Sequence, residues 1–401
     1  MRLTQITLDN FRNYSKAEVA INSDLVLILG ENASGKTNFL ESIYYLSALR
    51  SFRAADQVLV KKGEDFFRVG ARMHSAPPPT QGTGSPFMSI PEARTWGEIG
   101  DLDRGHDRIP DPGSGSGTRQ VRDGLELEAI VQTKPVLRRA FKINGQKVSR
   151  QLWRSFAAVL FIPPDLNLFS LGPSLRRRFL DETLAQTFSE YAADLVSLDY
   201  VLKQRKALLE QLFERRAQES ELGLWDEQLA EISVKIDAAR SVLAEFLKQG
   251  LPGILKNLTG FENKFEIEYA PAAPSKEEFL GQLRKLRPQE IRLGQNLAGP
   301  HREDFMFKKD GEHNLNNSSQ GELRAQVLAL KLLEARFLDQ HRKPPIILLD
   351  DVFSELDETR RAKLLENLSG HQIFITSTEE HHLPKLAEDA QVLKVEENQI
   401  K

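Results

Sequence analysis

The chain has 401 residues, 40% of them hydrophobic, no cysteine and a formal net charge of −3, which is enough to bury a substantial core in two or three packed units. The lack of cysteine excludes disulfides, thiolate metal sites and a cysteine nucleophile, and it fits a cytoplasmic location. The nearly balanced charge supplies no global basic field, so any nucleic-acid contact must come from a local patch or from assembly with partners.

At the amino end, LTQITL and KAEVAI alternate apolar and polar residues, and LVLIL at residues 25–29 is a continuous apolar run, so residues 2–29 predict strands, the last buried on both faces. The opening MRLTQITLDNF has no apolar stretch of the secretory kind. Runs such as residues 25–29 and 346–349 fall far short of the roughly 20 residues of a membrane-spanning helix. Phe39, Leu40, Ile43, Tyr44 and Leu46 recur at near-helical spacing and predict a helix over residues 37–49. Strands are expected at 66–73, 125–132 and 138–143, the last ending in Asn144-Gly145, a two-residue hairpin signal. Between them, residues 75–120 hold PPPT, GTGSP and GSGSG with little periodicity and read as a mobile surface insertion. Beyond Leu175, stretches at 185–217 and 224–250 are rich in helix formers and separated by Leu222-Gly223, which predicts an antiparallel helical hairpin. Each arm would be only about 40–50 Å long, too short for the rod of a chromosome-tethering ATPase. The last third returns to α/β: a helix from Gln320, the strand IILL, a helix at 359–368 and the strand QIFIT.

Chemistry is concentrated in four places. Gly30, Glu31, Asn32, Ala33, Ser34, Gly35, Lys36 and Thr37 match G-x4-G-K-[ST] between a buried strand and a helix, the context of a loop that wraps phosphates in backbone N–H groups. In such a loop Lys36 reaches the β and γ phosphates of ATP, and the Thr37 hydroxyl ligates Mg2+. The strand at 346–349 delivers Asp350 and Asp351 at its carboxyl end, where Asp350 is expected to help hold Mg2+ and Asp351 to activate water. Ser319-Gln320-Gly321-Glu322 precedes a long helix. Its serine is an N-cap by itself. About 30 residues ahead of the Asp350 strand, however, it stands where ATP-binding-cassette enzymes carry the signature serine that contacts the γ phosphate held by a partner subunit. Ser354-Glu355-Leu356-Asp357 resembles the D-loop of that superfamily, and Thr376-Ser377-Thr378 occupies its switch position, with His381 and His382 nearby.

Together with Leu8 to Tyr14 (LDNFRNY), Ser51-Phe52-Arg53 and Gly299-Pro300-His301-Arg302-Glu303-Asp304, these segments resemble the RecF recombination mediator family over nearly the whole chain. The resemblance implies an α/β fold, a P-loop ABC-type ATPase head (lobe I) with a mainly helical second lobe carrying a short antiparallel hairpin. The expected division is residues 1–174 for lobe I, 175–300 for the helical lobe and 301–401 for the signature, Walker B strand, D-loop and return to lobe I. The resemblance also implies catalytic roles for Asp351, Lys36 and Ser319, ATP contacts along residues 30–37 and at Ser319 and Gly321, and Mg2+ at Thr37 and Asp350. Asp351 stands where most cassette ATPases have glutamate. As function, it implies weak DNA-stimulated ATP hydrolysis and an ATP-dependent homodimer on gapped or junction DNA. It further implies work with RecO and RecR to load RecA, in support of the SOS response and replication restart, with no membrane. Arg176, Arg177, Arg178, Lys203, Arg205 and Lys206 form a candidate phosphate stripe, against the plainer reading of a solvated helix face interleaved with acids. Arg12 and Arg53 could reach nucleotide or DNA, and His301 and Arg302 a ligand or the lobe interface. The competing readings are a transporter ATPase, an overcoming-lysogenization nuclease, a Rad50/SMC-like head, and a DNA-binding protein that uses ATP only as a dimerisation switch.

Overall fold

The computed structural model describes residues 1–74, 124–153, 156–169, 172–260, 265–309, 311–313, 318–342, 344–378, 390–396 and 399–401. The expected insertion at 75–120 and the pair His381 and His382 lie outside the described residues. β1 (Arg2–Phe11) and β2 (Tyr14–Ala20) form a hairpin, and β3 (Leu25–Leu29) leads through the Gly-rich loop into α1 (Lys36–Ala48). The short α2 (Asp56–Leu59) precedes β4 (Phe66–His74), β5 (Leu125–Gln132), β6 (Arg138–Ile143) and β7 (Gln146–Val148). Six of these strands make an antiparallel sheet in the order β2-β1-β4-β5-β6-β7. Its register aligns Leu8 with Val69 and Val69 with Ala129. One face therefore carries a buried apolar set that joins Phe39, Ile43 and Leu46 of α1 in a single core. Asn144 and Gly145 both take left-handed φ, 51° and 78°, as a two-residue hairpin requires.

β8 (Ala158–Phe161) is followed by α3 (Pro173–Thr187), α4 (Ser189–Phe213), α5 (Leu222–Thr259), β9 (Phe265–Tyr269), α6 (Lys276–Leu293), β10 (Phe305–Lys309) and β11 (Glu312–His313). Then come α7 (Gln320–His341), β12 (Ile346–Asp350), α8 (Glu358–Asn367), β13 (Ile373–Ser377), β14 (Gln391–Glu396) and β15 (Gln399–Ile400). A second sheet runs β15-β14-β3-β13-β12-β8, with the five strands from β14 to β8 parallel. Its central strands β3, β13 and β12, with β8, are buried on both faces because one face packs on α1 and the other on the helices. The carboxyl ends of β3, β12 and β13 consequently open on one edge, where α/β sheets bind ligands.

The helical region corrects two sequence expectations. The helix predicted at 185–217 is two helices, broken at Phe188, which is extended at φ −121°. The reversal lies between Phe213 and Leu222, with Arg215 at φ 58°, whereas Leu222 and Gly223 begin α5. A glycine in a first helical turn breaks nothing, because the N–H groups there have no partner within the helix. α5 extends to Thr259 through Pro252, so its 38 residues span about 57 Å. Among the described residues no helix is long and apolar enough to cross a membrane.

Buried ions lock this lobe. Arg205 is fully buried and donates to Asp226, Glu290 and Asn296, tying α4 to α5 and α6. Arg240, equally buried, donates to Asp181 of α3, to the Pro300 carbonyl and to Glu303. Beside it the Tyr269 hydroxyl donates to Glu303, the Ala273 N–H donates to Asp237, and burial next to Glu303 pushes the Asp237 carboxyl up to about 8. A carboxyl raised in the folded state keeps a proton that the unfolded chain has lost, so it subtracts stability progressively as pH rises from about 4 to about 8. Asp237→Asn retains the acceptor for Ala273 and cannot ionise. Relative to wild type, its urea midpoint is expected to climb steadily from pH 5 to pH 8. A difference that stays constant over that range would exclude titration of Asp237.

Candidate functional site

The loop between β3 and α1 is braced from the first hairpin. Asn13 Nδ2 donates to the Ser34 carbonyl at 3.2 Å and Tyr14 Oη donates to the Gly35 carbonyl at 3.0 Å. Burial pushes the Tyr14 phenol up, so it remains a donor. Gly35 has φ 119°, and a Cβ there would lie 2.4 Å from Asn13 Nδ2 and 2.9 Å from Tyr14 Oη; both the backbone angle and the bracing require glycine. α1 starts at Lys36 with no side-chain cap and no acid in its first turn. The buried Ser34 Oγ has no hydrogen-bond partner. Uncapped N–H groups, a positive helix end and an orphaned hydroxyl are the features an anionic phosphate chain satisfies.

Lys36 is 7% exposed, and its ammonium donates to the carbonyls of Gly30 (2.7 Å) and Glu31 (2.8 Å). Burial lowers its pKa, while the charges of Asp351 and Asp350 pull it back up. Thr37 Oγ1 donates to Asp350 Oδ1 at 2.9 Å, and Thr376 Oγ1 donates to the same oxygen at 2.8 Å. Thr376 sits opposite Asp350 in the β12–β13 register and also accepts the Asp351 N–H at 2.9 Å. Thr376 is thus fully buried, at the end of the strand where the sequence places the switch position, with its hydroxyl taken up by the two aspartates. Asp351 has a left-handed φ of 53°, a conformation that costs a non-glycine residue about 1 kcal/mol and is held here by Thr376.

The oxygens of Thr37 and Asp350 suit Mg2+, which binds one or two protein oxygens together with phosphate oxygens and water. Among the described residues no group of three or more His, Cys, Asp or Glu side chains could hold a metal unaided. Glu31, Asn32 and Ala33 are exposed along the loop. Ser319 is exposed at the start of α7 in a capping box with Glu322: its Oγ accepts the Glu322 N–H, and Glu322 accepts the Ser319 N–H. Gly321 lies beside Arg360, and Arg324 pairs with Glu355 at 2.7 Å. The turn at Ser319 is therefore grouped with Glu355 and α8 of its own chain, while its hydrogen bonds are those of a cap.

Some expectations about basic residues are corrected. Arg205 is buried and Arg176 forms a two-pronged pair with Asp304, so neither belongs to a phosphate stripe. Arg177 donates to the Glu303 carbonyl and Arg178 pairs with Glu182. Lys203 and Lys206 face solvent, paired one turn away with Asp199 and Glu210. Arg302 donates to the Asn296 carbonyl, which places it in the helical lobe's own packing. The residue missed from sequence is Glu41 on α1, fully buried and accepting from Arg12, Arg53 and Ser51. Its signal was a lone acid flanked by Leu40 and Ile43 in an apolar helix face.

A phosphate loop and paired aspartates at the carboxyl ends of parallel strands, flanked by an antiparallel sheet and a helical lobe whose capped helix lies near the D-loop, define a P-loop ATPase head of the ABC/SMC class. Residues 1–70 match the AAA ATPase domain family, and an SMC head shares the fold at a TM-score of 0.51 and 13% identity over 100% of this chain and 97% of that one. The chain is 34% identical to the DNA replication and repair protein RecF of Moorella thermoacetica, over 96% of this chain and 92% of that protein. It is 33% identical to RecF of Streptococcus gordonii over 100% of both. The solved recombination mediator protein RecF of the RecFOR pathway, as RecF-ATPrS, superposes at a TM-score of 0.81 with 29% identity, covering 100% of this chain and 97% of that one. The chain belongs to the RecF family.

Proposed function

We propose that this chain is an ATP-dependent DNA-binding protein of DNA replication and recombinational repair, acting in the cytoplasm. ATP drives it to dimerise and clamp gapped or junction DNA; slow, DNA-stimulated hydrolysis to ADP and phosphate releases it. The observation that carries the reading is the convergence of Lys36, Thr37, Asp350 and Asp351 at one uncapped helix start, in a chain that resembles RecF proteins throughout. Residues 30–37 bind the phosphates, and Lys36 exchanges the Gly30 and Glu31 carbonyls for them. Mg2+, when bound by Thr37 and Asp350, supplies neutralisation of phosphate charge. Thr376 aims Asp351, which accepts the proton of the attacking water; a carboxylate shorter than the usual glutamate suits a slow timing step. Ser319, exposed, and Gly321, half-buried, stand at a helix start, ready to receive the nucleotide of a partner subunit. With RecO and RecR the clamp helps load RecA on single-stranded gaps and supports the SOS response. The division into lobe I (1–174), the helical lobe (175–300) and the signature-to-return segment (301–401) belongs to the same reading.

The test measures ATP turnover and self-association together, with and without gapped DNA. Ser319→Arg is expected to abolish ATP-driven dimerisation while retaining ATP binding by the monomer. Asp351→Asn is expected to accumulate a DNA-bound dimer with turnover reduced about 100-fold or more. Hydrolysis by a monomer indifferent to DNA would refute the clamp.

A further inference from the structure

The segment that follows α1, Arg50-Ser51-Phe52-Arg53, is held from two sides. On the nucleotide side, Arg53 and Ser51 donate to Glu41, and Arg53 also donates to Asn38, whose amide donates to Asn13 at 2.7 Å; Asn13 in turn holds the Ser34 carbonyl of the phosphate loop. A continuous chain of hydrogen bonds therefore connects Arg53 to the loop that wraps phosphates. On the side of the helical lobe, Glu182 of α3 accepts from Arg50 and from Arg178, both at 2.7 Å, and Arg178 also donates to the Phe52 carbonyl at 3.4 Å. The Arg53 guanidinium rests over the Phe52 ring. Beside this segment lies a cavity of about 390 Å3, lined by Thr37, Asp350 and Arg53 together with Arg178, Glu182 and Lys331. Lys331 belongs to α7, the helix that Ser319 caps.

We propose that Glu182 is a positioning residue for the nucleotide site: through Arg50 and Arg178 it holds the Phe52–Arg53 turn, and with it Arg53, at the wall of the cavity shared by Thr37 and Asp350, so that the seating of the helical lobe depends on the terminal phosphate. The inference rests on the ATP reading above and adds to it a specific link between the lobes. Three features favour a link over plain packing. The contacts are ionic and partly exposed, a kind that contributes little to stability by itself. They bear on a turn without regular secondary structure. The same cavity is lined by Lys331 of the helix that Ser319 caps. Because Arg53 lines the same cavity as Thr37 and Asp350, its placement concerns the end of the nucleotide where ATP and ADP differ.

Glu182→Gln keeps the size of the side chain and removes its charge; Glu182→Asp keeps the charge. For each full-length variant, the Kd values of ATP and ADP are measured with Mg2+ present, together with the Tm of the nucleotide-free protein. Glu182→Gln is expected to weaken ATP about 5- to 10-fold while ADP changes less than about 2-fold, a difference near one decade in affinity. Its nucleotide-free Tm should move by no more than about 2 °C, and Glu182→Asp should recover most of the ATP affinity. Equal losses for ATP and ADP, a large fall in Tm with an unchanged ATP-to-ADP ratio, or no change at all would each overturn the link while leaving wild-type ATP binding intact. A wild type that binds neither nucleotide would overturn the ATP reading, and the link with it.

Discussion

Lys36→Ala is expected to remove ATP turnover and ATP-driven self-association together, with kcat falling about 100- to 1,000-fold, the usual loss when one preorganised donor to developing charge is deleted. The local electrostatics set the size of the effect. Lys36 is the cation that Asp350 and Asp351 keep protonated against the opposing influence of burial. Without it, two carboxylates would face a triphosphate with only metal to offset them, at an edge of the sheet where Asp350 is 7% exposed and poorly screened. Lys36→Arg should not rescue, since a planar fork cannot follow the path by which the ammonium reaches the Gly30 and Glu31 carbonyls. Nucleotide affinity by fluorescence and single-turnover hydrolysis provide the check. A variant turning over within about 3-fold of wild type would take Lys36 out of the chemistry, since one missing donor ordinarily costs far more.

The parts of this molecule that could be read from sequence are those where backbone geometry restricts residue choice. A left-handed residue against Asn13 and Tyr14 must be glycine at position 35, and strands buried on both faces must be apolar runs such as 346–349. Asn144-Gly145 likewise announces its turn because both residues need positive φ. The misread elements were decided by partners far away in the chain. Phe188 interrupts the helix without glycine or proline, its ring packed against Phe337 and His341 of α7. The reversal between α4 and α5 uses Arg215 in a run of good helix formers, so Leu222-Gly223 was the more conspicuous and incorrect signal. Arg205 has the look of a solvated residue in a charged helix, yet its acceptors Asp226 and Glu290 stand 21 and 85 positions further on and draw it into the core. For Thr376, only the β12–β13 register shows that its hydroxyl is taken up by both aspartates.

The second large effect is expected at Arg240, and it concerns folding. Arg240→Ala removes the donor shared by Asp181, the Pro300 carbonyl and Glu303, and leaves Glu303 beside Asp237 without a cation. Breaking a buried ion pair from one side costs about 3–5 kcal/mol, mostly for stranding the remaining charge. Here the stranded groups come from α3, from α5 and from the segment before β10, which leads on toward the signature turn. The helical lobe should therefore melt first, in a separate transition ahead of the nucleotide lobe, whose antiparallel sheet and α1 share a core of their own. Arg240→Lys restores the charge without the fork and should recover only part of the loss. Because the deleted cation was also restraining the Asp237 carboxyl, which burial already pushes up to about 8, the deficit should deepen as pH rises through that value, from about 7 to about 9. Calorimetry of the three proteins at both pH values would show this directly. A single cooperative transition within about 1 kcal/mol of wild type would mean that neighbouring groups neutralise the pocket without Arg240, and that the lobe is held by its apolar contacts alone.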